Sequence, residues 1–169
     1  MLMRKGGIRE ETRDFQLISD SFYLFPTYEH QRRELLKEEF REALDETLRE
    51  WPAEGAGAPA VPLRAYAEVV QDIEITDKET LSKLRDFHIW TEDFAEERLR
   101  WKKTKPLHVL LLRVYKLEEP RDMPLRDAYI GCKSWVKLQD EPPQGAMKPV
   151  LTDEQFAGEV HRITAALQG

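Results

Sequence analysis

Leu107-His-Val-Leu-Leu-Leu-Arg-Val-Tyr115 is the stretch on which the reading of this chain turns. It is the long run of aliphatic and β-branched residues, bounded by Lys105-Pro106 and Glu118-Glu119-Pro120. A strand with one wet face alternates apolar and polar residues, so a run this apolar reads as a strand buried on both faces. A buried helix is the rival. Val109 and Val114, the flanking prolines and the short length favour the strand. It is placed in the middle of a sheet.

Its natural neighbour lies upstream. In Leu63-Arg-Ala-Tyr-Ala-Glu-Val-Val70, Leu63, Ala65, Ala67 and Val69 alternate with Arg64, Tyr66 and Glu68, the pattern of a half-buried strand that runs on toward Ile75. Between the two strands, Thr76 with Glu79 predicts a capping box for a helix from Asp77 to about Arg85, and Thr91 caps a second helix from Glu92 to Trp101. Further out, Met1 to Ile8 reads as the end of a strand running into Gly6-Gly7. Phe15 to Phe25 reads as a strand broken by a turn at Ser19-Asp20-Ser21. Thr27 caps a short helix from Tyr28 to Leu36. Glu38 to Trp51 is a helix with Phe40, Leu44, Leu48 and Trp51 on one face, stopped by Pro52. Residues 52–62, rich in Gly, Ala and Pro, predict a flexible loop. After the central strand come a loop punctuated by Pro120 and Pro124, a short strand from Cys132 to Leu138, and a loop at Pro142-Pro143. A last helix opens with Thr152 and Gln155 and carries Phe156, Val160, Ile163 and Leu167 on one face. Mixing without strict βαβ alternation argues an α+β fold, with a small mixed or barrel-like sheet and flanking helices.

The chain has 169 residues, 41% hydrophobic and 34% charged, which suits one globular domain over 1–169 with a core burying on the order of two-thirds of the unfolded surface. A formal net charge of −6 disfavours non-specific nucleic-acid binding and leaves only a local basic patch for that work. Cys132 is the single cysteine, so an internal disulfide and a cysteine-based zinc site are excluded, as in a reducing compartment. No apolar run reaches the roughly 18 residues of a membrane span. The expectation is a cytoplasmic protein with no membrane association.

Four places could carry chemistry. Tyr28, Glu29, His30 and Gln31 crowd one strand-to-helix turn, where free N–H groups favour anions. Arg98-Leu-Arg-Trp-Lys-Lys-Thr-Lys105 sets Arg98, Arg100, Lys102, Lys103 and Lys105 around Trp101, which suits phosphate contact with base stacking. Its alternative is a solvated helix end, where cations favour the dipole. Cys132, Lys133, Ser134 and Trp135 follow Gly131, where Lys133 or Trp135 suits a ligand contact. Arg4-Lys5-Gly6-Gly7 offers two cations and backbone amides to an anion. His30, His88, His108 and His161 show no metal-ligand spacing, so no metal and no cofactor is predicted.

Leu2-Met-Arg-Lys-Gly-Gly-Ile8, Phe22-Tyr-Leu-Phe-Pro-Thr-Tyr-Glu-His-Gln31 and Tyr129-Ile-Gly-Cys-Lys-Ser-Trp-Val-Lys-Leu138 together resemble the prokaryotic family called domain of unknown function 1802, over nearly the whole chain. The family label implies no activity. It implies that relatives carry a segment before the RKGGI motif, so the N-terminus looks shortened. In pattern, Ala67-Glu-Val-Val70 leading through helices to a strand ending at Leu117-Glu-Glu-Pro120 is similar to the PUA-like group, its EVE and ASCH branches above all. That likeness implies a small barrel that binds RNA or a modified base.

The function expected first is a binding module for RNA, DNA or a nucleotide-like anion. Phosphate would meet Arg98, Arg100, Lys102, Lys103 and Lys105, Trp101 or Trp135 would stack, and Tyr28, Glu29, His30 and Gln31 would line a pocket. The alternative is a hydrolytic or nucleic-acid-processing enzyme with His30 as general base, supported by Glu29 or Lys133. A third reading is a protein-interaction component docking through the acidic helix Glu38 to Trp51. The oligomeric state is left open.

Overall fold

The computed structural model describes residues 1–5, 15–26, 32–49, 60–101, 105–129, 133–139 and 145–169. Its strands are β1 (Leu2–Arg4), β2 (Ser21–Tyr23), β3 (Ala60–Ile75), β4 (Leu107–Pro124) and β5 (Met147–Pro149). Its α-helices are α1 (Glu38–Arg49), α2 (Lys78–Lys83), α3 (Glu92–Arg100) and α4 (Asp153–Gln168). The sheet runs β1-β4-β3-β2, with β5 also on β4, and every pairing is antiparallel. The fold is α+β, as expected. The sheet is not closed into a barrel among the described residues. The barrel-like expectation therefore gives way to an open sheet, and the PUA-like resemblance finds no support in it.

The apolar run is indeed the central strand. Leu107, Val109, Leu110 and Leu111 are all buried, so both faces of β4 are covered there. β3 and β4 form one long antiparallel ribbon from Ile75 opposite Leu107 to Ala60 opposite Pro124, and α2 and α3 lie in the connection between them. Ile75, Leu107, Val109 and Leu111 pack with Leu81 and Leu84 of the α2 region, Ala95 of α3 and Ile163 of α4. A smaller cluster, Val61, Leu63 and Met123, closes the far end of the ribbon against Tyr23, Phe25, Leu125 and Leu138. Tyr23 faces Tyr66 edge-on at 5.2 Å, and Tyr66 pairs in register with Tyr115, a cross-strand row of the kind that stabilises sheets.

Several local expectations change. β4 continues through Pro120 and Pro124, where a loop is predicted, because the ribbon is irregular there. Leu117, Glu118, Glu119 and Pro120 stand against Arg64 alone, so the missing N–H of Pro120 costs no rung with β3. Ala60 to Pro62 of the predicted loop belong to β3, and the rest of that loop lies outside the described residues. The strand expected over Phe15–Phe25 shrinks to Ser21–Tyr23, since the Ser19 hydroxyl bonds the Ser21 backbone and bends the chain. The strand predicted from Cys132 to Leu138 is irregular chain over 133–138. α2 is capped by Asp77, not Thr76: its carboxylate accepts from the Thr80 N–H at 2.8 Å. The Thr91 cap and the Thr152–Gln155 capping box form as predicted.

His88 follows the 3-10 turn at Arg85–Phe87 and is buried, its Nδ1 without a hydrogen-bond partner among the described residues. Burial, helped by the Lys37 ammonium, pushes its pKa below 6.5. A lowered basic pKa means that the unfolded chain takes up a proton which the folded chain refuses, so stability falls as the pH drops below about 6.5. Thermal melts between about pH 7 and pH 5 should show a falling Tm, and His88→Gln should flatten that fall.

Candidate functional site

Two basic motifs far apart in the sequence converge at the C-terminal end of α3. The last carbonyls of a helix have no intrahelical partner and carry the negative end of its dipole. Lys5, the residue after β1, is buried and donates its Nζ–H to the carbonyl of Leu99. Arg98 stands close enough to oppose its charge. Burial first, and the Arg98 guanidinium second, hold the Lys5 ammonium below its ordinary pKa, while burial depresses Arg98 against the favourable pull of Glu97. Among the described residues neither cation has a carboxylate at ion-pair distance. Beside them Trp101 ends α3 and is 41% exposed.

The other predicted residues divide. Arg100 is bound to Glu96 at 2.9 Å, and Glu96 also takes Lys78 at 2.7 Å. The hydrogen bond from Lys78 leads in holding the Glu96 carboxyl below the usual range. These groups, with Thr76, Asp77 and Leu99, line an open cleft of about 230 Å³ whose charges are matched. Lys105 has an interaction of its own. Lys102 and Lys103, Tyr28, Glu29, His30 and Gln31, and Cys132 lie outside the described residues. Lys133 donates to the Ala128 carbonyl at 2.7 Å. Trp135 donates its Nε1–H to the Gln16 carbonyl at 2.7 Å and packs on Phe15 and Phe22, with ring centroids 6.1 and 4.9 Å away. The structure thus uses Trp135 to clamp irregular chain onto the sheet, and Trp101 is the more open indole.

One constellation escaped the sequence reading. His108 Nδ1 lies 3.0 Å from both carboxylate oxygens of Asp72, with the two side chains 13% and 24% exposed, and the Phe15 ring lies 5.1 Å from the imidazole. Arg4 sits opposite His108 in the β1–β4 register. The available signal was a lone polar side chain between Leu107 and Val109. Its partner, 36 residues away, becomes visible only once the strands are in register. Among the described residues no group of three His, Cys, Asp or Glu side chains comes together as a metal site, and no helix is long and apolar enough to cross a membrane.

A scan against protein-family models matches residues 1–162 to Domain of unknown function (DUF1802). Searches of curated proteins and of solved structures return no match.

The Asp72 carboxylate favours the imidazole tautomer with hydrogen on Nδ1. Asp72→Asn should weaken that preference, read by ¹⁵N NMR of the His108 ring, and should cost about 1 kcal/mol of stability in a denaturant titration.

Proposed function

We propose, for a chain that belongs to the DUF1802 family and inherits no activity from that label, a binding module for a phosphate-bearing ligand of the nucleic-acid type. One observation carries the reading: Lys5 and Arg98 stand together at the end of α3 with no carboxylate at ion-pair distance among the described residues. Two neighbouring cations without a carboxylate at ion-pair distance among the described residues favour a local positive potential, which an anion would relieve. Trp101 presents the aromatic surface on which a base stacks. Lys102, Lys103 and Lys105 continue the run in sequence and would follow a phosphate backbone. The net charge of −6 suits a local, ligand-selective contact over broad electrostatic attraction. The single cysteine fits a cytoplasmic setting.

A second reading, a nucleic-acid-processing enzyme, is favoured by the His108–Asp72 pair. A carboxylate on Nδ1 orients an imidazole for proton transfer at Nε2. In this reading His108 takes the general-base role, and cleavage of labelled RNA on a gel should stop in His108→Gln. RNA left intact by the unaltered protein would remove it.

Fluorescence anisotropy with short labelled single- and double-stranded RNA and DNA, at low and physiological salt, tests the binding module. Arg98→Glu should weaken binding about tenfold or more and lower the salt slope by about one. The variant should stay folded, since a glutamate there gains Lys5 as a partner. Trp101→Ala should weaken binding by roughly 5- to 150-fold, the range of about 1–3 kcal/mol for one stacked base. Absence of salt-sensitive binding to every probe would overturn the assignment.

A further inference from the structure

Arg121 puts a cation on an apolar face. It stands opposite Leu63 in the β3–β4 ladder, as Met123 stands opposite Val61, so the four side chains share one face of the ribbon. Val61, Leu63 and Met123 form the small buried cluster there, packed against Tyr23 and Phe25. The Arg121 side chain is 33% exposed, enough for a ligand to reach it, while its Nε is buried with no hydrogen-bond partner among the described residues. Its one ion pair among them is with Glu119, 3.9 Å from Nη1. That is too long for a hydrogen bond, and Glu119 is itself 82% exposed, so the contact contributes little. A guanidinium carries five N–H donors, and holding them half-buried without acceptors is unfavourable.

Two phenols stand beside it. The Tyr23 and Tyr66 rings meet edge-on at 5.2 Å, and neither hydroxyl makes a hydrogen bond among the described residues. Burial first, and Tyr66 second, push the Tyr23 phenol up from its ordinary pKa, and the Arg121 charge pulls against them, so guanidinium and phenol are neighbours. Gly145 lies against the same guanidinium: a Cβ there would come 2.6 Å from Arg121 Nη2. We propose that Arg121 anchors a binding site for a small carboxylate, its guanidinium gripping the two oxygens and the Tyr23 hydroxyl donating to one of them. Charge and shape select that class. One arginine matches one negative charge, and the Glu119 carboxylate opposes a second, so a doubly charged phosphate fits less well. The flat fork of the guanidinium matches the flat carboxylate. None of these residues belongs to the end of α3, so the site is separate from nucleic-acid binding there.

Acetate, benzoate and inorganic phosphate are titrated into the full chain at constant ionic strength, with the Arg121 Nε–H and Tyr23 ring signals followed by NMR. Saturable binding of acetate or benzoate is expected with a Kd of about 1–10 mM, a strength suited to so few atoms. Phosphate should bind about tenfold more weakly or not at all. Tyr23→Phe keeps the ring and its packing, so its Tm should stay within about 2 °C of the unaltered protein. Its carboxylate affinity, read at the Arg121 Nε–H, should fall about tenfold for the lost hydrogen bond to a charged group. Arg121→Lys keeps the charge without the fork, and Gly145→Ala displaces the guanidinium without removing a donor; each should weaken binding, read at the Tyr23 ring. If Arg121→Lys fails to fold, the unaltered protein and Tyr23→Phe decide. No saturable shift with either acid, phosphate binding as tightly as both, or an affinity unchanged in Tyr23→Phe each overturns the site.

Discussion

The ladder between β3 and β4 is the constraint on which the other elements depend. It runs from Ile75 opposite Leu107 to Ala60 opposite Pro124, and its register decides which side chains share a face. On one face it gathers Ile75, Leu107, Val109 and Leu111 under α2, α3 and α4. By the same register it brings Asp72 to His108. A one-residue slip would send each set to the opposite face. The burial of Ile75 and Leu107, each fully enclosed, makes that slip costly.

Polar groups at the edges of this core are used in two contrasting ways. Lys5 gives its ammonium to the end of α3, so a buried cation doubles as a helix cap. Arg113, also buried, is satisfied by the Asp153 carboxylate at 2.7 Å and lies over the Phe156 ring, fastening α4 to β4. The difference is the counter-ion. Arg113 has one and is spent on structure. Among the described residues Lys5 and Arg98 have no carboxylate at ion-pair distance: Lys5 is held by the Leu99 carbonyl, and Arg98 has only the more distant pull of Glu97.

Much of the architecture was legible because it is written in local patterns. The largely apolar run of β4, the alternation through β3 and the caps at Thr91 and Thr152 each have a short-range cause, and each forms. Local patterns misled where tertiary context overrode them. Pro120 looked like a stop, but it falls in a stretch of β4 with no rung to lose. Thr76 looked like a cap, but Asp77, one residue on, offers the stronger charged acceptor to the Thr80 N–H. Phe40, Leu44 and Leu48 share one face as expected, but periodicity reports a stripe and is silent on what lies over it. At the candidate site the basic run was visible, but its junction with Lys5 was not. No pattern shorter than the distance from Lys5 to Leu99 could contain it. The His108–Asp72 pair was hidden for the same reason.

The helical connection between β3 and β4 also governs the order in which contacts can form. Pairing Ile75 with Leu107 closes a loop of about thirty residues, an entropic debt that grows only slowly with length. Every later rung toward Ala60 and Pro124 adds little further closure cost, so zippering from the helical end is the inexpensive route. Asp77 and Thr91 then have a kinetic role. By nucleating α2 and α3 they shorten the flexible path between the two strands, and the ladder starts where the helices have already brought its ends together.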